Sequence, residues 1–140
     1  YLKIKPPFLM IDTVESCQPG KTCHATKLLK KDEWFFKSHL ETEQIMPGVL
    51  LIEAMLQTLV FTIYTQKGHK GKLSFVNSIS SKIFSKASPG NKLDIYADLH
   101  SYKRGISQGY ALIKLNKINI CEGNFKLVSP HELLTPNKIT

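Results

Sequence analysis

The sequence predicts an α+β domain in which an antiparallel sheet of about five to six strands wraps around one long central helix. Three observations carry this. Residues 45–64 form an apolar run with hydrophobic side chains on nearly every helical face, as in a helix enclosed by the rest of a domain. Almost everything after residue 73 reads as strands separated by turn signals, and Leu93-Asp94-Ile95-Tyr96-Ala97-Asp98-Leu99 alternates apolar and polar residues cleanly. Two further strand candidates precede the helix, joined by the turn signature Gln18-Pro19-Gly20.

Taken in order, Pro6-Pro7-Phe8-Leu9-Met10 predicts a turn packed against the domain, followed by strands over 11–17 and 21–29. Asp32 can cap a short helix through Glu33-Trp34-Phe35-Phe36, whose three adjacent aromatics belong mostly in the core. A loop over 38–44 leads to the main helix. Pro47 suits its first turn, where a missing N–H costs nothing, and Lys67 and Gly68 suit its end after Gln66. Strands are then predicted over 73–85, 93–99, 108–115 and 118–128. They are broken by Ser88-Pro89-Gly90-Asn91, by Lys103-Arg104-Gly105 and by Asn116-Lys117, with 129–140 as a loose tail. There is no internal repeat and no linker, so 1–140 reads as one domain. An isolated domain of this size covers such a helix poorly, which favours pairing with a second copy.

Composition narrows the function classes. A chain of 140 residues with 42% hydrophobic and 21% charged residues can bury a core and is not of disordered type. A net charge of +8 favours an acidic partner. The lysines are dispersed, with their densest clusters at Lys27–Lys31 and Lys67–Lys72, and read as solvated faces or a docking surface. Arg104 is the only arginine and no basic motif interleaved with aromatics appears, so nucleic-acid binding is not predicted. Cys17, Cys23 and Cys121 have no metal-ligand spacing; they read as reduced thiols of a cytosolic protein, with Cys17 and Cys23 able to face each other across a hairpin. The 45–64 run is long enough to span a bilayer, but Pro47 and Gly48 open it and Glu53 and Gln57 interrupt it, so no membrane insertion is expected. No charged-then-apolar signal opens the sequence, and a start at Tyr1 rather than Met leaves room for residues upstream.

Glu53 is the residue that the helix should not tolerate. A buried carboxylate is costly, so such a group stays protonated, finds a partner or serves chemistry. Fourteen residues upstream lies His39, a side chain that moves protons near neutral pH. Gly48 stands at the helix N-terminus, where early N–H groups lack intrahelical partners, and its missing side chain lets a ligand approach the backbone. That N–H can donate to a carbonyl gaining negative charge, with His39 as base and Glu53 as acid. Gln57, one turn beyond Glu53, shares its face and can orient it or bond across a dimer. His24, His69, His100 and His131 have no such context. Ser38-His39-Leu40-Glu41 contains the H-x-E of zinc deaminases, but no P-C-x-x-C accompanies it, so no metal site is predicted.

The stretch from Phe35-Phe36-Lys37-Ser38-His39 through Ile45-Met46-Pro47-Gly48-Val49-Leu50-Leu51-Ile52-Glu53-Ala54-Met55-Leu56-Gln57 resembles the signature of the beta-hydroxyacyl-acyl-carrier-protein dehydratases of the FabZ type. The family pattern there is F-F-x-G-H-F-P-x-x-P-V-M-P-G-V-L-x-I-E-A-M-A-Q. Pro7-Phe8-Leu9-Met10-Ile11-Asp12 and Pro89-Gly90-Asn91-Lys92-Leu93 extend the similarity over roughly residues 6–128. The resemblance implies a hot-dog fold, a homodimer or trimer of dimers, and an active site shared by two subunits. It implies His39 as the base removing the alpha proton and Glu53 of the partner as the acid protonating the departing hydroxyl. Gly48 would polarise the thioester carbonyl, and Val49 would join the substrate-binding residues. The implied partner is an acidic acyl carrier protein whose phosphopantetheine bears the substrate, with no resident metal or organic cofactor. Glutamate at 53 points to the FabZ type rather than to the FabA type, which has aspartate there.

Departures cluster around the histidine. The family's G-H-F-P is Ser38-His39-Leu40-Glu41, its proline before V-M-P-G is Gln44, and its P-H-R-Y-P-F opening is Lys3-Ile4-Lys5-Pro6-Pro7-Phe8. They reshape the loop over the acyl site and bear on chain-length preference while leaving the proton-transfer groups in place. Two alternatives stay open: a non-catalytic module binding acyl thioesters, and a hot-dog acyl thioesterase.

Overall fold

A computed structural model describes residues 5–6, 8–39, 43–66 and 74–129, with Ser38 and His39 described by backbone alone. The elements are β1 (Thr13–Gln18), β2 (Thr22–Leu28), α1 (Trp34–His39), α2 (Gly48–Tyr64), β3 (Phe75–Ile83), β4 (Lys92–Lys103), β5 (Ile106–Leu115) and β6 (Ile118–Val128). All six strands form one antiparallel sheet in the order β1-β2-β4-β5-β6-β3. Helix α2 packs across β4, β5 and β2, and more lightly on β6 and β1. This is the sheet wrapped around a central helix that the sequence predicts.

The hairpins follow from local turn chemistry. Arg104 and Gly105 take φ values of 52° and 77°, and Asn116 and Lys117 take 51° and 68°. Two consecutive left-handed residues make the tight turn whose twist matches that of its strands. These turns set the β4–β5 and β5–β6 registers, so that Leu93, Ile95, Ala97, Ala111, Ile113, Cys121, Phe125 and Leu127 are buried against the helix side. On α2 the buried partners include Leu51, Ala54, Met55, Leu59 and Ile63. Gly109 gives room for α2 against the sheet, because a Cβ there would lie 2.5 Å from Leu59 Cδ1 and 2.8 Å from the Asp98 carbonyl oxygen.

Several boundaries differ from expectation. Pro47 is the N-cap of α2, at φ −56° and ψ 138°, so Gly48 is its first helical residue. The helix ends at Tyr64, and Lys67 and Gly68 lie outside the described residues. Strand β4 runs to Lys103, past the end of its alternating stretch, because a bulge between Leu99 and Ser101 lets pairing with β5 continue. Trp34 is 43% exposed, whereas Phe35 and Phe36 are buried: a single helical turn cannot point three neighbouring rings into one core. Ser129 is no part of a loose tail. It is buried, its N–H donates to the Gly105 carbonyl at 2.7 Å, and its hydroxyl lies 3.1 Å from that of Ser74. The rest of the expected tail lies outside the described residues.

Cys17 and Cys23 do stand opposite each other across the β1–β2 hairpin, and all three cysteines are free. Burial pushes the Cys121 thiol up to about 12 and raises that of Cys23 as well, helped by the adjacent Cys17, so neither is a thiolate at neutral pH. Among the described residues, no helix is long and apolar enough to cross a membrane.

Candidate active site

Helix α2 is not enclosed on every side. Val49, Ile52, Glu53 and Leu56, spaced as neighbours along one helical face, are exposed or half-buried, and Val49 is 71% exposed. The opposite face is sealed against the sheet. Glu53 therefore sits at the border of a dry interior and an open apolar stripe. Burial raises its carboxyl above the ordinary range, and the Gln57 amide pulls it part of the way back.

Gln57 is buried and fully committed. Its Oε1 accepts from the Met10 N–H at 2.8 Å, and its Nε2 donates to the Phe8 carbonyl at 3.0 Å and to Glu53 Oε2 at 2.9 Å. The Met10 N–H fixes which end of the amide carries oxygen, so the NH₂ group must face Glu53. Within the chain, Gln57 makes the bond to Glu53 that an orienting role requires. Phe8 and Met10 contribute through backbone atoms, and no sequence pattern marks such a contact in advance.

At the start of α2, the N-cap proline offers no side-chain acceptor, so the first N–H groups of the helix are uncapped by it. Gly48 borders an open groove of about 260 Å³ lined by Ile45, Met46, Leu51, Ile83, Phe84 and Lys86. A Cβ on Gly48 would lie 2.6 Å from Ile83 Cδ1, so the glycine keeps this corner open. The corner is held by the Met46 N–H donating to the Ala87 carbonyl at 2.9 Å and the Phe84 N–H to that of Ile120 at 2.8 Å. The end of β3 thus forms one wall, a contribution invisible to sequence reading because β3 is far from Gly48 along the chain. Lys86 stands at the rim, paired with Glu43.

His39 is the last residue of α1. Its side chain, together with Leu40, Glu41, His69 and His131, lies outside the described residues. Val49 shares the open face of Glu53, one turn earlier. His24 bonds Asp94 at 2.9 Å and stacks on Tyr96, a surface arrangement away from this corner, and His100 is exposed.

The basic cluster at 27–31 is not uniformly solvated. Lys27 is only 5% exposed and reaches Asp12 and Glu33, while Lys30 and Lys31 face solvent.

A model of the FabA-like domain matches residues 3–124. The chain belongs to the FabA-like family. Within it, a 3-hydroxyacyl-[acyl-carrier-protein] dehydratase FabZ from Syntrophomonas wolfei is 34% identical over 128 residues, covering 89% of each chain. Another FabZ, from Clostridium kluyveri, is 37% identical over 110 residues, 76% of each. Among solved structures, the dehydratase heterocomplex ApeI:P from Xenorhabdus doucetiae matches with a TM-score of 0.76 at 16% identity, over 97% of this chain and 90% of that one. A hypothetical thioesterase with coenzyme A from Streptococcus pneumoniae matches with a TM-score of 0.66 at 14% identity, over 83% of each chain. The fold is the hot-dog fold.

Proposed function

We propose that this protein is a 3-hydroxyacyl-acyl-carrier-protein dehydratase of the FabZ type, a hydro-lyase converting beta-hydroxyacyl thioesters into trans-2-enoyl thioesters and water. The observation that carries the assignment to this site is Glu53, held by Gln57 on the open face of α2, with its carboxyl raised towards the protonated form.

An alpha proton is too weakly acidic for an unaided imidazole, so charge must be accepted elsewhere as it leaves. His39 takes that proton, and the electron pair moves towards the thioester carbonyl. Its oxygen gains negative charge and is met by the Gly48 N–H at the positive end of α2. Hydroxide is a poor leaving group. Glu53 therefore gives its proton to the beta hydroxyl, the C–O bond breaks, water departs and the C2–C3 double bond forms. Val49 lines the acyl path one turn before Glu53. The substrate arrives on the phosphopantetheine of an acyl carrier protein, and no resident metal or organic cofactor takes part.

The working unit is a homodimer in which His39 of one subunit meets Glu53 of the other. Two features support it. β3 is an edge strand with Val76, Ile79 and Ile83 exposed, and the open stripe of α2 asks for an apolar cover. The net charge of +8 suits docking of an acidic carrier protein, and the setting is cytoplasmic.

The test is reversible hydration of a crotonyl thioester, followed by loss of the conjugated enoyl absorbance, on wild type, His39→Ala and Glu53→Gln. Hydration by wild type that both variants lose agrees with the proposal. Release of free thiol would make the protein a thioesterase, and saturable binding without turnover would make it a binding module.

A further inference from the structure

Resting on the dehydratase reading, we propose that Lys27 is a positioning residue whose single buried ammonium group ties together the two segments that carry the acid and the base. Lys27 of β2 is itself buried but borders an open pocket, where its Nζ lies 3.6 Å from Oδ1 of the exposed Asp12 and 3.3 Å from Glu33 Oε2. Each carboxylate anchors a different branch.

Asp12 ends the segment that holds Gln57. Its Oδ2 accepts from the Leu28 N–H at 2.7 Å, and its own N–H donates to the Thr26 carbonyl at 2.9 Å, so it is fastened to β2 as a staple. Immediately before it, the Phe8 carbonyl and the Met10 N–H grip the Gln57 amide, which in turn holds Glu53. The path from ammonium to acid is therefore continuous: Lys27, Asp12, the 8–10 backbone, Gln57, Glu53.

Glu33 immediately precedes α1. Its Oε2 accepts from the Lys30 N–H at 3.3 Å, and its carbonyl accepts from the Phe36 N–H at 3.2 Å, starting the turn whose last residue is His39. Buried Phe35 and Phe36 then fix that helix in the core. Glu33 thus sets where the helix bearing the base begins.

A buried lysine needs its charge answered, and two carboxylates from different elements answer it only when both are in place. The ammonium group touches neither substrate nor reacting atoms. Its role is to hold, within each subunit, the acid given to one site and the base given to the other, and misplacement of about 1 Å at a proton-transfer site costs on the order of a hundredfold in rate.

The experiment is a double-mutant cycle on the intact dimer, with dehydration rates measured for wild type, Lys27→Met, Gln57→Ala and the pair. Lys27→Arg is the conservative rescue, and Asp12→Asn is a second probe that keeps the side-chain shape if Lys27→Met folds poorly. The expected result is a fall in kcat of roughly tenfold or more with KM nearly unchanged, recovery in Lys27→Arg, and a smaller loss from Lys27→Met on Gln57→Ala than on wild type, the part that remains acting through Glu33 and α1. Losses that simply multiply in the pair, or a kcat unchanged in both Lys27→Met and Asp12→Asn, would overturn the proposal. If wild type itself forms no enoyl thioester, the dehydratase reading fails rather than this inference.

Discussion

Gln57 Nε2 lies 2.9 Å from Glu53 Oε2, one helical turn away, and it is aimed there by a second bond in which Gln57 Oε1 accepts from the Met10 N–H. The Glu53 carboxyl is therefore held by an amide that cannot flip. Holding it this way has a cost in proton affinity, because a donor to the carboxylate favours the charged form that burial disfavours. The balance leaves the Glu53 carboxyl above its ordinary range.

Replacing Gln57 by Ala removes three hydrogen bonds and leaves the Met10 N–H buried without its partner. A loss of about 2–3 kcal/mol in stability is expected, read as a lower midpoint in urea, together with a fall in kcat of on the order of tenfold. An unchanged midpoint would show that the amide is not the anchor described.

Glu53→Gln separates chemistry from stability. Dehydration should fall by about 10³-fold, within the range for losing a general acid. Its effect on folding has a defined sign. The folded-state pKa of Glu53 is raised, so the stability associated with its protonated form is complete below the unfolded value of about 4.3. That stability is lost as pH rises through the folded pKa. Thermal melts across that window should show Glu53→Gln gaining on wild type as pH increases, and a constant difference would contradict the raised carboxyl.

Gly48→Ala places a methyl group against Ile83 Cδ1, the movable end of a side chain, so the fold should accommodate it with a small change in melting temperature. The same methyl crowds the N–H that we propose meets the thioester carbonyl. kcat/KM should drop on the order of tenfold to a hundredfold. Parallel losses of stability and activity would instead make the glycine a packing residue.

A charge on the β3 edge tests subunit pairing. Ile79→Lys substitutes an exposed side chain in the single chain, so it should leave the monomer fold intact while blocking sheet-to-sheet association. Light scattering should report monomers, and with sites shared between subunits as proposed, turnover should fall to about a hundredth of wild type or less. A variant that remains dimeric and active would place the interface elsewhere.

Much of this was legible in the sequence, for identifiable reasons. Strand β6 and the turns at Arg104-Gly105 and Asn116-Lys117 were readable because turn chemistry and alternation are local. Gly48, Glu53 and Gln57 stood out because a carboxyl and an amide on an apolar helix are anomalous without a task. The grip of Phe8 and Met10 on Gln57, the wall made by Ile83, and the burial of Lys27 were not readable, since each depends on long-range pairing rather than spacing. Lys27 looked like a surface charge because its neighbours Lys30 and Lys31 are surface charges.

The most direct measurement is subunit complementation. His39→Ala and Glu53→Gln proteins, each inactive alone, are unfolded together, refolded as a mixture and assayed for enoyl thioester formation. Sites built from opposite subunits give mixed dimers with one intact site, so activity should return to roughly a quarter of wild type. A mixture as inactive as its two parents would contradict a site in which one subunit's histidine works with the other's glutamate.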